Sequence, residues 1–415
     1  MITIKRPRLH DSDGKTRLSA EIEFGDKVQT IWYETATEFG KYFCTERADA
    51  FLVAVLPYAM FNGEDITSEI PVSSQLLHAV RQYQIPFMTR VSKNYKEIRL
   101  YAESDATPLE SAGHVGTGVS CGVDSLSTLI QHSVREENPK YKIDTLALFN
   151  AGHYGNDEAK SSERFLKYVN NGRSFCQEFG YQFLQVDSNV GHIIEMDFTS
   201  AVSFLITSVV LSLQKYFSIY YFASTYSIFP FHPIFEDAET YDLITTQCVS
   251  TENLTFFSGC TLLTRVEKTK IISEYPDYFM HVYPCVNGDP PHNCGYCEKC
   301  RYTIMALDVM DKLDLAEKVF DMSYYYKHRT SLYAFMLLHK LDSIDKVNAP
   351  LYREIHNEMK NRKKHVPFMA YFYLPYQYYR AKLRLPLRHF ARKLLVCLLG
   401  EKKAMKFKKT DKSIQ

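Results

Sequence analysis

His114-Val115-Gly116-Thr117-Gly118-Val119-Ser120-Cys121-Gly122-Val123-Asp124-Ser125 is the stretch on which the fold turns. A short β-prone run of small residues enters a glycine-containing loop, and Leu126 to Val134 then carries apolar residues at helical spacing. Backbone N–H groups at a helix N-terminus, with the helix dipole behind them, make an anion site. Glycine lets the backbone approach a phosphate closely, and Ser120 and Ser125 offer hydroxyl donors. Asp124 alone would repel a phosphate, so its position here implies a bridging Mg²⁺. The chain has no G-x-x-x-x-G-K-[ST], which excludes a Walker-type nucleotidase. The bland alternative is a serine-capped helix start with a chance glycine.

Outward from this loop the pattern is strand, loop, helix. Ile143 to Phe149 reads as a strand, Ser162 to Phe179 as a helix stopped by Gly180, and Tyr181 to Val186 as the next strand. Phe198 to Leu213 reads as a buried helix and Ile219 to Ala223 as a further strand. Such alternation predicts an α/β fold, a parallel sheet with helices on both faces, whose ligands bind beyond the strand C-termini. Residues 1–108 read as a β-rich accessory domain. LSAEIEF and KVQTIWYE alternate about Gly25-Asp26 as a hairpin does, Ala48 to Leu56 is a continuous apolar run, and Glu97 to Tyr101 alternates again. Residues 109–315 form the expected catalytic domain, and 316–415 a helical, basic extension. Ser250-Thr251-Glu252 reads as a helix cap with an acidic first turn.

Cys285, Cys294, Cys297 and Cys300 follow a C-x8-C-x2-C-x2-C pattern. Zinc takes four thiolates tetrahedrally, and a short C-x2-C loop supplies two of them from one turn. A site closed by four thiolates leaves no open position, so its expected role is structural. An iron–sulfur cluster is the competing occupant.

Ser120-Cys121-Gly122-Val123-Asp124-Ser125 resembles the S-G-G-x-D-S signature of the PP-loop ATP pyrophosphatases, with Cys121 standing where the first glycine is usual. The cysteine spacing and the stretch Thr264 to Ile272, in which Lys268 precedes a K-x-x-I-I pattern, resemble those of 7-cyano-7-deazaguanine synthase, a branch of that superfamily. The resemblance spans about 110–310. It implies an adenine nucleotide alpha hydrolase-like fold that binds ATP and Mg²⁺, with Zn²⁺ on the four cysteines. It places the pyrophosphate on Ser120, Cys121, Gly122, Val123, Asp124 and Ser125, and the adenine and ribose against Phe149, Asn150 and Ala151. Arg265 and Lys268 would steady the phosphates, with Asp124 and Lys268 as the catalytic pair. The implied reaction adenylates a substrate carboxylate or carbonyl oxygen, releases pyrophosphate and admits a nitrogen nucleophile, as a ligase or amidotransferase does; the extensions on either side of 110–310 make surface-glycan or modified-nucleobase biosynthesis the expected setting. A sulfur transferase using Cys121 as nucleophile and a degenerate nucleotide-binding scaffold are the alternatives.

The net charge of +1 gives no bulk attraction to nucleic acid or membrane. The first residues lack the apolar run of a signal peptide, so the ten cysteines are expected in a reducing cytoplasm. From Arg380 to the end, twelve Lys and Arg face two acids, a net of +10. Residues 371–399 mix these cations with aromatic and apolar side chains. They read as a peripheral membrane contact, an RNA-binding arm or a docking helix. A small-molecule or lipid-linked substrate fits this reading.

Overall fold

Period-two alternation builds the first long strands. In a computed structural model that describes residues 1–155, 158–229, 231–344 and 348–382, the strands are β1 (Ile2–Ile4), β2 (Arg8–Ser12), β3 (Lys15–Phe24), β4 (Lys27–Ala36), β5 (Ile66–Ser68), β6 (Val72–Ser73), β7 (Leu100–Tyr101), β8 (Ser104–Asp105), β9 (His114–Gly118), β10 (Thr145–Phe149), β11 (Gln182–Ser188), β12 (Phe217–Ala223) and β13 (Thr255–Gly259). β3 and β4 pair as a hairpin from Lys15↔Ala36 to Phe24↔Lys27. The turn between them is Gly25-Asp26, with Gly25 at φ +60°, the left-handed backbone a tight hairpin loop demands.

Five strands are mutually parallel, in the order β13-β12-β9-β10-β11. The chain steps outward from β9 through β10 to β11, then returns to the other side of β9 to lay down β12 and β13. The connections therefore reverse direction between β9 and β12. In an open α/β sheet that reversal opens the crevice where ligands bind. The helix Glu158–Phe179 connects β10 to β11 and packs on both, and Phe198–Ser212 packs on β12.

The chain divides into two compact units, Met1–Leu263 and a second beginning at Thr264. At 108/109, where the pattern changes to strand, loop and helix units, one sheet carries strands from both sides. β4 pairs antiparallel with β11 at Glu34↔Asp187 and Tyr33↔Ser188, supplying backbone partners to what would otherwise be the open edge of the parallel sheet. The apolar run Ala48 to Leu56 is the heart of the helix Asp49–Asn62, apolar on all sides because it is enclosed. It packs on Phe198–Ser212 within one hydrophobic core. The Tyr33 hydroxyl reaches both helices, lying 3.2 Å from Ser208 Oγ and 3.5 Å from Ala50 O.

The sequence between Glu97 and Tyr101 yields only the two-residue strand β7, and Thr255–Gly259 forms a strand that alternation did not reveal. No helix begins at Ser250 to Glu252. The Ser250 hydroxyl accepts from Phe256 N–H, and Thr251 Oγ1 accepts from Leu254 N–H. Glu252 accepts from Gln75 N–H at 2.7 Å and lies 3.5 Å from the fully buried Arg47. A buried guanidinium needs carboxylate partners, and Glu252 and Asp105 meet that need.

The second unit is helical: Arg265–Ser273, Pro276–Phe279, Glu298–Val309, Leu313–Val319, Ser323–His339, Ala349–Asn361 and a helix over 368–382. Buried Asp308 ties two of them together by accepting from Tyr333, Tyr325 and Arg329.

Gly116 sits in β9 with no space for a side chain, because a Cβ there would lie 2.3 Å from the buried Phe217 ring. Gly116→Ala should lower the unfolding free energy of the first unit by about 1–3 kcal/mol, as overpacked cores do, measured by chemical denaturation. An unchanged midpoint would show that Phe217 yields freely.

Candidate functional site

β9 ends at Gly118, and Val119 N–H donates to Ala147 O at 2.9 Å, so the following loop leaves the sheet beside the C-terminus of β10. The loop then turns on Cys121 at φ +56°. For an L-residue with a Cβ this left-handed conformation costs roughly 1–2 kcal/mol, a cost that glycine escapes. Gly122 returns to extended backbone and immediately precedes the helix Val123–Leu129, continued by a wider turn to Val134. The Ser120 and Ser125 hydroxyls lie 3.1 Å apart, and Ser125 donates to Gly122 O at 3.1 Å. Gly122 N–H donates to Ser120 Oγ at 3.3 Å. Ser120 is exposed, Gly122 and Asp124 are half-buried, and Val123 and Ser125 are buried. The loop thus presents hydroxyl and amide groups at a helix start, with one carboxylate beside them.

Cys121 itself is fully buried, and burial pushes its thiol up to about 12. Asn171 Nδ2 approaches its sulfur at 3.6 Å. A thiol in that state is protonated at neutral pH, the opposite of what an attacking thiolate requires.

Phe149, Asn150 and Ala151 are buried at the C-terminus of β10, next to the loop. The Asn150 N–H already donates to Val186 O at 2.9 Å. Its side chain donates to Asp187 Oδ1 at 2.8 Å, and its carbonyl accepts from Ser188 Oγ at 2.6 Å. Asp187 and Ser188, at the end of β11, were not singled out from sequence. The signal was there in an Asp-Ser pair closing an apolar strand. Burial raises the Asp187 carboxyl above its ordinary range. Gly152 and Gly191 meet behind them, where a Cβ on Gly191 would lie 2.3 Å from Gly152 Cα. His153 is surface-exposed and rests on the Tyr154 ring, the centroids 3.8 Å apart.

Arg265 and Lys268 lie in the second unit, both buried, in the first turn of Arg265–Ser273. Thr264 and Glu267 close that helix start as a reciprocal capping box. Glu354 accepts from Arg265 N–H at 2.9 Å and from Tyr302 OH at 3.1 Å. Desolvation pushes the Glu354 carboxyl up to about 7, against the pull of Arg265 and Lys268. This carboxylate, some 90 residues downstream, carries no sequence motif.

The four cysteines also belong to the second unit. Their sulfurs all lie within 4.8 Å of one another, and a tetrahedral zinc with bonds of about 2.3 Å sets S···S edges near 3.8 Å. Two N–H···S bonds support the cluster, from Gly288 to Cys285 at 3.2 Å and from Cys297 to Cys294 at 3.3 Å. Gly295 at φ +69° is obligatory, since a Cβ would sit 1.7 Å from Asp321 O. Cys297 is the cap of Glu298–Val309, so Cys300 falls in its first turn. These thiols are placed to hold one metal ion such as zinc, and a four-thiolate set is a structural one.

No protein-family model matches the chain, and neither a curated protein nor a solved structure matches it.

Metal analysis of the purified protein should return about one zinc per chain. Cys294→Ser should lose most of it and lower the thermal midpoint, and a metal-free parent of unchanged stability would contradict the assignment. Glu354 has a folded pKa above its unfolded value, so it makes the fold less stable as pH rises from about 4.5 to about 7. Glu354→Gln should flatten that slope in thermal denaturation.

Proposed function

We propose that the chain is an ATP-using enzyme of the PP-loop type that adenylates an oxygen of its substrate and releases pyrophosphate. The observation that carries this reading is the position of Ser120 to Ser125. The loop follows the strand next to the reversal between β9 and β12, and its turning residue holds a left-handed backbone, the conformation that glycine, the residue usual there in the resembled signature, adopts without cost. Cys121 is then a conformational substitute for glycine, not a chemical participant.

On this reading the pyrophosphate of ATP lies against the backbone amides and the Ser120 and Ser125 hydroxyls. Asp124, at the mouth of the helix, would hold Mg²⁺, which would neutralise charge on the phosphates. The adenine and ribose lie toward Phe149 to Ala151. Asn150 contributes through its fixed position between β10 and β11, since its N–H is engaged. A carboxylate or carbonyl oxygen of the substrate attacks the α-phosphate in line. A bond from that oxygen to phosphorus forms as the bond to the β-phosphate oxygen breaks. A nitrogen nucleophile then attacks the activated carbon, loses its proton, and AMP departs with the original oxygen. Positioning and electrostatics supply the rate, because the protein forms no covalent bond. The first unit alone carries this proposal.

The buried, protonated Cys121 thiol disfavours the sulfur-transfer alternative. A substrate screen should find conversion of ATP to AMP and pyrophosphate. In that assay Asp124→Asn should reduce turnover at least tenfold, by analogy with lost electrostatic groups at other sites, while Cys121→Gly should retain activity. Production of ADP and phosphate would reject the mechanism, and an inactive Cys121→Gly that still folds and binds ATP would restore the thiol to the chemistry.

A further inference from the structure

The helix over 368–382 has two unlike faces. Ala370 and Gln377 are buried, and Leu374 and Ala381 are half-buried, a stripe at i, i+4, i+7 and i+11 that lies on one side of a helix. Gln377 Nε2 anchors this side by donating to Ser331 Oγ at 2.9 Å, on the helix Ser323–His339. The opposite side carries Phe368, Tyr371, Phe372, Tyr376 and Tyr379. Phe368 is 73% exposed, Phe372 65% and Tyr379 63%. A continuous row of exposed large aromatics is rare on a monomer surface and marks a contact site.

The chemistry around the row identifies the contact. Arg362-Lys363-Lys364-His365 precedes the helix. Arg380 and Lys382 close it, with Lys382 Nζ 4.8 Å from the centre of the Tyr378 ring. The 33 residues beyond add ten Lys and Arg against Glu401 and Asp411. Arg362 pairs with Glu358 and Lys364 with Asp311, so the excess positive charge lies in the sequence on the C-terminal side of the aromatic row. Tyrosine has an apolar ring and a polar hydroxyl, and it settles at the level of lipid headgroups. Cations attract an anionic leaflet. Interfacial helices combine these features and lie in the membrane plane. None of the described helices is long and apolar enough to cross a membrane.

We propose that the aromatic row of 368–382 docks the protein on the surface of an anionic lipid bilayer. The inference stands whether or not the loop at Ser120 to Ser125 binds ATP. The row is the part that enters the headgroup layer, and the cations on its C-terminal side hold it there, so neither is sufficient alone.

The test is cosedimentation of the full chain with vesicles of phosphatidylcholine alone or with roughly one-third phosphatidylserine. Binding should require phosphatidylserine and weaken at high salt. Phe372→Ser with Tyr376→Ser should reduce binding roughly tenfold or more, as loss of buried apolar area does, with an unchanged circular dichroism spectrum. As a second readout that does not depend on a disruptive change, Phe372→Trp should show a blue shift of its emission on adding anionic vesicles and none on adding neutral ones. Equal binding by the doubly substituted Ser variant, or no emission shift from the Phe372→Trp variant, overturns the proposal. So does a parent that self-associates through this face, or shifts RNA, without binding either vesicle.

Discussion

The pairing of β9 on both sides is the constraint on which the candidate site depends. β10 flanks it at Thr145↔Gly116 and β12 at Tyr221↔Thr117. A strand so held cannot slide without moving its neighbours, so the loop that follows leaves the sheet at one fixed place. Small residues make the fit possible, since Gly116 faces the Phe217 ring and Thr117 donates to Tyr221 O at 2.8 Å. The loop's chemistry comes after that. Serines, amides and a carboxylate acquire meaning only because the sheet delivers them to the end of a central strand beside a reversal of connection.

Cys121 carries both a backbone cost and a chemical consequence. A cysteine at a left-handed turn stores a local cost, partly offset by burying its side chain. Its thiol is withdrawn from solvent and from reactivity by the same burial. Stability and chemistry point the same way, toward a residue that shapes the loop and does not react in it. The cysteines of the second unit behave differently. There, four sulfurs converge around one point, and Gly295 brings two segments of backbone within touching distance.

Much of this was legible in the sequence because it was local. The hairpin at Gly25-Asp26, the helix stop at Gly180 and the cysteine spacing each rest on a few adjacent residues. What escaped was set by distant partners. The pairing of β4 with β11 is a long-range match that alternation within β4 cannot specify. Thr255–Gly259 is a strand because β12 offers it an edge. Asp187 gains its place from Asn150, and Glu354 from Arg265 and Tyr302, none of which are neighbours in sequence. Ser250 to Glu252 carried the composition of a helix cap, but a buried arginine claimed the carboxylate.

The central claim is that Ser120 to Ser125 cradles the phosphates of ATP. A crystal structure with Mg²⁺ and α,β-methylene ATP, whose α–β linkage resists cleavage, tests it most directly. The β- and γ-phosphates should lie against the amides of Gly122 to Ser125, with Cys121 still left-handed and its sulfur still buried. Nucleotide bound elsewhere, or a loop that leaves its phosphates untouched, would contradict it.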